Sequence, residues 1–273
     1  MDVNSLYSSG QLADAVTAAF SQVKAKPADV GGRLFLAELL CFQGDWDRAE
    51  KQLDTAAKQS QDEGFLALLI RQLIRGEILR EQVFTEGRAP QLVGELPPDA
   101  TLQLEICAAL RQPSPDQAAA TAESIASMVE AAQAARATVA GTCNDQPFED
   151  IRDLDDRIAG VLEVITTTGK YYWVPWKAVR MLECAKPERP VDLIWRKASI
   201  EVDNGPEGDV FIPVRYPCPN AAGWDDQLRL GRASTWSGDE SSAVIGLGQR
   251  MLLVGDEAKS WLDIERLAIA AHP

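Results

Sequence analysis

The chain has 273 residues and 29.7 kDa, and 46% of its residues are hydrophobic, enough to bury a core in one large domain or two modest ones. Its formal charge of −14 argues against nucleic-acid or anionic-membrane partners, both of which reward positive surface. Five cysteines (Cys41, Cys107, Cys143, Cys184, Cys218) stand far apart without Cys-x-x-Cys spacing, and the single histidine, His272, is next to the last residue. A disulfide framework and a zinc-type site are therefore not expected, and no cofactor is implied.

The start, Met1-Asp2-Val3-Asn4-Ser5, has neither the basic nor the apolar segment of a signal peptide, and the apolar run Phe65–Ile70 is too short to span a bilayer. These features predict a reduced, cytoplasmic protein. The first half is rich in Ala, Leu, Gln and Glu, which are good helix formers. After position 147 come 11 of the 18 aromatics, six of the seven tryptophans and runs with strand character. The expected fold class is α+β multidomain: a helical stack over 1–140, then an α+β domain with short antiparallel strands over 146–273. The junction is placed between Val139 and Gln146, where Ala140-Gly141-Thr142-Cys143-Asn144-Asp145 interrupts an alanine-rich helix.

The helical half repeats itself. Gly10-Gln11-Leu12-Ala13-Asp14-Ala15 and Gly44-Asp45-Trp46-Asp47-Arg48-Ala49 lie 34 residues apart, pairing Gly10 with Gly44, Leu12 with Trp46, Ala15 with Ala49 and Ala19 with Leu53. Glycine permits the turn, the small alanines let two helices approach, and Pro27 marks the boundary of a helix pair. Leu36, Ala37 and Leu40 share the inner face of the preceding helix, and Asp45 is placed to cap the next one. The pattern is similar to the tetratricopeptide repeat. The stack is expected to continue with a helical unit from about Gly64, then Asp99–Leu110 and Pro115–Val139, offering grooved faces suited to peptides and helices.

In the second half, Thr166-Thr167-Thr168-Gly169 reads as a hairpin turn, as does Asp203-Asn204-Gly205-Pro206-Glu207-Gly208. Short strands punctuated this way suggest a small curved sheet or partial barrel. Alternation along Tyr171-Tyr172-Trp173-Val174 sends Tyr172 and Val174 to one face and Tyr171 and Trp173 to the other, one packed inside and one against a helix, the other domain or a partner. Tyr172, Trp173, Trp176, Trp195 and Arg196 are the interaction candidates. Burial tendencies weigh for core or interdomain packing of the tryptophans, while Trp and Arg are also favoured interface anchors.

Enzyme readings find little support. Glu149, Asp150, Asp153, Asp155 and Asp156 match no EF-hand spacing, and the interleaved Arg152 and Arg157 point to salt bridges or capping; Glu149 with Asp153, or Asp153 with Asp156, would share a helix face. Gly246-Leu247-Gly248-Gln249-Arg250 lacks the ending of a phosphate loop and the third glycine of a dinucleotide fingerprint, so these read as turn glycines. Nucleophilic chemistry would depend on His272, near a terminus where side chains are poorly held.

One ordered series of words is more specific. It runs Phe148-Glu149-Asp150, Leu154-Asp155-Asp156-Arg157, Gly160-Val161-Leu162-Glu163-Val164, Gly169-Lys170-Tyr171-Tyr172-Trp173-Val174-Pro175, Asp192-Leu193-Ile194-Trp195-Arg196, Val210 to Tyr216, Leu230-Gly231-Arg232 and Gly246 to Arg250. Behind a helical repeat region of this length, the series resembles the ImpE family, also called SciE-type or TagJ proteins, across nearly the whole chain. Trp176, where a phenylalanine is expected, and a long 217–229 connection are the departures. The resemblance implies a non-enzymatic accessory of bacterial type VI secretion that binds the N-terminal helix of the small sheath subunit TssB and assists sheath handling by the ClpV ATPase. A general peptide-binding chaperone module and a metal-dependent hydrolase using the 149–156 carboxylates are the alternatives. Sequence leaves the oligomeric state open.

Overall fold

The computed structural model describes residues 2–111, 118–217, 224–239 and 242–270. Helices α1 (Val3–Ser8), α2 (Leu12–Ala25), α3 (Val30–Gln43) and α4 (Trp46–Gln59) form two hairpins. They are closed identically: Gly10 N–H donates to Tyr7 O and Gln11 N–H to Leu6 O, while Gly44 N–H donates to Cys41 O and Asp45 N–H to Leu40 O. Both glycines sit in the left-handed region, at φ 80° and 72°, which explains why the repeat places glycine there. Asp45 caps α4 by accepting from Arg48 N–H at 3.2 Å; Gln11, at the equivalent position, makes no side-chain cap. The inner positions Leu12, Ala15, Leu36, Ala37, Leu40, Ala49 and Leu53 are all buried.

The unit expected from Gly64 is instead part of one long helix, α5 (Gln61–Thr85), followed by α6 (Pro98–Leu110) and α7 (Ala118–Ala135). Part of the predicted Pro115–Val139 helix lies outside the described residues. Among the described residues, no helix is long and apolar enough to cross a membrane.

The sheet is far larger than the small one anticipated. The strands are β1 (Gln91–Leu92), β2 (Gly141–Cys143), β3 (Gln146–Phe148), β4 (Ile151–Asp153), β5 (Val161–Thr166), β6 (Tyr171–Pro175), β7 (Val179–Cys184), β8 (Trp195–Val202), β9 (Glu207–Pro213), β10 (Ser234–Ser237), β11 (Ile245–Gly248), β12 (Met251–Val254), β13 (Glu257–Ser260) and β14 (Arg266–Ile269). Nine of them join in the order β1-β6-β5-β9-β8-β7-β14-β2-β3, with β13-β12-β4 and the β10-β11 hairpin alongside. Every pairing is antiparallel except β1 with β6. The two expected hairpins join β5 to β6, with Gly169 at φ 75°, and β8 to β9, with Asn204 at φ 50°.

The alanine-rich helix α7 ends at Ala135, and within the segment placed between the two halves Gly141–Cys143 is β2, paired to both β14 and β3. Asn144 and Asp145 turn the β2–β3 hairpin with φ of 50° and 64°, as a two-residue loop that follows strand twist requires.

Alternation along β5 and β6 divides two cores. Val161, Ile165, Tyr171 and Trp173 pack with Trp195, Phe211 and the buried faces of α2 to α5. Leu162, Val164 and Val174, with half-buried Tyr172, turn into the other core with Trp176, Ile212, Leu252 and Trp261. The first core is thus common to the stack and the sheet. Contact there is close: a Cβ on Gly76 of α5 would lie 2.3 Å from Ile165 Cγ2, so only glycine lets α5 lie on β5.

Candidate functional site

Glu163 lies mid-way along β5, between Val161 and Ile165 on the face turned to the helices, and is fully buried. A lone carboxylate there would be strongly unfavourable, and the sequence supplies two guanidinium groups. Arg80 of α5 binds it through both oxygens, at 2.8 and 2.9 Å, and Arg250 Nη1 approaches Oε2 at 3.1 Å. Tyr171 donates its hydroxyl to Glu163 Oε1 and accepts from Trp173 Nε1 at 2.6 Å. Burial alone would raise the Glu163 pKa, but the two arginines outweigh it and hold the carboxyl at about 2.

The cluster extends both ways. One turn before Arg80, Glu77 accepts from Arg80 Nη1 at 2.9 Å and from Trp195 Nε1 at 2.8 Å. On the sheet side, Arg250 Nε meets Asp153 Oδ2 at 2.5 Å, and Asp153 Oδ1 accepts from Asp155 N–H. Asp155 holds Arg157, whose guanidinium lies 4.9 Å from the Phe84 ring of α5. An ionic and aromatic chain therefore runs from the stack through the sheet, and its geometry suits fixing two bodies in one orientation.

Two arginines add a second fastening. Arg215 donates to Phe42 O at 3.2 Å and Cys41 O at 3.5 Å, above the Phe42 ring; Arg232 donates to Ser8 O at 3.0 Å and Tyr7 O at 2.9 Å, above the Tyr7 ring. The acceptors are repeat-equivalent carbonyls, 34 residues apart, at the ends of α1 and α3. Gly10 N–H and Gly44 N–H already bond Tyr7 O and Cys41 O, and the arginines add to these bonds and reach Ser8 O and Phe42 O as well; helix C-termini favour cations, so the sheet half caps the same place in both repeats.

Beside this junction, Glu81 accepts from Trp46 Nε1 at 3.1 Å. Burial, reinforced by the neighbouring Glu77 carboxylate, pushes its pKa to about 7. A carboxyl raised this way binds its proton better folded than unfolded, so its contribution is present below pH about 4.5 and is lost as pH rises through 7. From pH 5 to 8 this group should remove roughly 2–3 kcal/mol, an order-of-magnitude figure. Glu81→Gln, which keeps an acceptor for Trp46, should flatten the Tm profile in that window; parallel profiles would refute the assignment.

The interaction candidates are mostly consumed inside the chain. Trp173, Trp176, Trp195 and Arg196 are each no more than 2% exposed. Trp176 stacks on Trp261 with ring centroids 6.2 Å apart, Trp195 lies 6.1 Å from Trp46, and Arg196 donates to the Ala185 and Trp261 carbonyls. Tyr172 alone of the five is half-buried.

The 149–156 carboxylates share no helix face, because 151–153 is strand β4 and a turn follows. The carboxylates expected to pair on a helix are bonded elsewhere: Asp153 pairs with Arg250, and Asp156 accepts from Val244 N–H at 2.8 Å. Among the described residues, no group of three His, Cys, Asp or Glu is placed to hold a metal ion. The 246–250 word is only partly turn: both glycines lie in β11, which Gly248 ends at φ 84°, while at Gly246 a Cβ would come within 2.3 Å of the Tyr216 ring. Cys41, Cys107, Cys143 and Cys184 are free thiols, and burial pushes Cys107 up to about 12; Cys218 and His272 lie outside the described residues.

Two open grooves flank the fold. One, of about 670 Å³, is polar and acidic, between the β2–β3 and β12–β13 hairpins. The other, of about 700 Å³, runs between α7 and β10, with Val129, Leu154, Val244 and Trp236 among its lining residues. Neither contains the five sequence candidates, and Trp236, 42% exposed, was not singled out by sequence.

These features define a helical-repeat protein whose stack is fastened onto a large antiparallel sheet. Residues 6–73 match the tetratricopeptide repeat family and residues 145–268 the family described as ImpE protein. The chain is 30% identical over 267 residues to the type VI secretion system accessory component TagJ of Pseudomonas aeruginosa, covering 98% of this chain and 90% of that protein. It is also similar to the crystal structure of protein VPA1032 from Vibrio parahaemolyticus, with a TM-score of 0.87, 26% identity and coverage of 99% and 98%. The chain belongs to the ImpE family.

Proposed function

We propose that this protein is a non-enzymatic accessory component of a type VI secretion system. It acts in the cytoplasm as an adaptor that binds the N-terminal helix of the small sheath subunit TssB and assists handling of the sheath by the ClpV ATPase. The observation that carries this reading is the 30% identity, extending over 98% of the chain, to a type VI accessory component. The tetratricopeptide-type stack supports it, since such stacks present faces that hold peptides and helices. The non-enzymatic part rests on how the acidic residues are used: Asp153 and Asp155 face arginines and Asp156 a backbone amide.

Titration calorimetry of the full chain against a peptide of the cognate TssB N-terminal helix, with a scrambled control, tests it. Saturable binding confined to the native sequence is expected. Absence of heat and of competition at high peptide concentration would refute helix capture.

A further inference from the structure

A small cavity of about 60 Å³ lies where the start of α6, the end of α7 and the corner between β6 and β7 meet. Its walls are mostly small and apolar, with Pro97, Ala135, Val139 and Pro175 among them, but two buried polar side chains also line it. Asp99, in the first turn of α6, is 4% exposed and makes no ion pair among the described residues. Its carboxylate meets the backbone amides at the start of its own helix, and burial outweighs them and raises its pKa. Arg136 and Lys177 act on it from beyond ion-pair distance, and the Arg136 guanidinium is held by Asp150. Trp176 is 2% exposed, and its Nε1 has no partner.

A third group stands beside these two. Gln103, one helical turn after Asp99, is 1% exposed, borders the adjoining cavity together with Arg136, and leaves its Oε1 unpartnered. Gly160 admits the cluster, since a Cβ there would lie 2.0 Å from Asp99 Oδ2 and 3.2 Å from Gln103 Nε2. A buried carboxylate without a cation is costly, and so is a buried N–H without an acceptor. Both occur around one cavity here, with opposite demands.

Those demands define the occupant. Asp99 and Gln103 Oε1 call for a cation with several N–H donors, which a primary ammonium supplies. Trp176 N–H, with exposed Lys177 at the rim, calls for an acceptor oxygen. The volume admits a handful of heavy atoms, hence a side chain no larger than methyl. An ammonium one carbon away from an acceptor oxygen is the arrangement of a small α-amino acid and of the first residue of a polypeptide.

We propose that this cavity binds the α-ammonium group and adjoining carboxylate or carbonyl of glycine or alanine, free or as the first residue of a polypeptide. The site does not depend on the adaptor reading.

The test titrates the full chain with glycine, L-alanine, the tripeptide Ala-Gly-Gly, N-acetylglycine and L-leucine. The readouts are calorimetric affinity and the Trp176 indole N–H resonance, assigned with Trp176→Phe. So small a ligand reaches micromolar affinity at best, so titrations extend to about 10 mM. Glycine and L-alanine are expected to shift the resonance saturably. L-leucine should bind at least about tenfold more weakly, and N-acetylglycine, which lacks the ammonium, should not bind. Asp99→Asn should weaken glycine about tenfold or more, and Trp176→Phe, which keeps a ring against Trp261, about fivefold. Unchanged circular dichroism verifies folding of both variants.

The tripeptide separates the two sources. If Ala-Gly-Gly shifts the resonance as alanine does, the site takes a chain terminus; if alanine shifts it and the tripeptide does not, the ligand is the free amino acid. A resonance unmoved by glycine, alanine and the tripeptide means that the cavity holds water only, and overturns the proposal. Equal binding of N-acetylglycine, or undiminished glycine affinity in Asp99→Asn, overturns it as well.

Discussion

Glu163→Gln should lower unfolding stability by about 3–5 kcal/mol, the cost of leaving buried guanidinium groups without their counter-charge. The side chain has nearly the same size, so packing is not the cause. The amide removes the negative charge that faces Arg80 and Arg250, and its NH₂ would point at other donors. For a chain of this length, that loss corresponds to a Tm decrease of about 5–9 °C. Tyr171→Phe, which deletes one hydroxyl of the same cluster, should cost only about 1–2 kcal/mol. The effect should also depend on acid. The Glu163 carboxyl is held at about 2, below its ordinary 4.5, so its contribution is present above pH 4.5 and is lost as pH falls through 2. The gap between wild type and Glu163→Gln should narrow over that interval. Urea unfolding at several pH values measures both quantities; equal stability of the two proteins at neutral pH would show that the cluster does not hold the junction.

Trp195→Ala should cost about 3–5 kcal/mol through the cavity left by a fully buried indole. It also takes from Glu77 the indole donor at 2.8 Å. Trp195→Phe retains most of the packing and should cost about 1–2 kcal/mol. Helical signal arises mainly from the first half of the chain and six of seven tryptophans from the second, so circular dichroism and fluorescence follow different halves. Because one core joins them, the two probes should report coincident transitions in wild type. In Trp195→Ala both midpoints should move together to lower urea. Separate midpoints in wild type would mean that the stack and the sheet unfold independently.

Much of the architecture was legible because it is written in local signals. Gly10 and Gly44 announce a left-handed helix end, Asp45 a cap, and Gly169 a hairpin, each through conformational preferences that act within a few residues. The alternation of Tyr171 to Val174 also held, with Tyr171 and Trp173 facing the helices. The β2–β3 hairpin escaped because Asn144 and Asp145 both adopt positive φ without the glycine that usually marks such a turn.

The polar cluster escaped for a different reason. Arg80 and Glu163 are 83 residues apart and Trp195 and Glu77 are 118 apart, so no local spacing relates them. A subtler sign was present: Glu77 continues the buried stripe Ile70, Leu73 and Ile74 of α5, and Glu163 interrupts an apolar strand. Charged residues on a core-facing stripe imply an unseen counter-charge, although not its address. Trp236 gave no sequence sign of its exposure, since burial is decided by where β10 lies.

The reach of these pairings sets a timetable for synthesis. When α5 leaves the ribosome, the carboxylate for Arg80 is 83 residues behind, the indole for Glu77 is 118 behind, and the Arg215 carbonyl that also receives Arg80 is 135 behind. At roughly 5–20 residues per second, Arg80 waits from about 4 s to nearly half a minute for its partners. During that interval the nascent stack shows a charged pair and the apolar flank of α5 to its surroundings. The vulnerable species for this protein is therefore the half-made chain, and slow translation between α5 and β9 should raise its demand for chaperones.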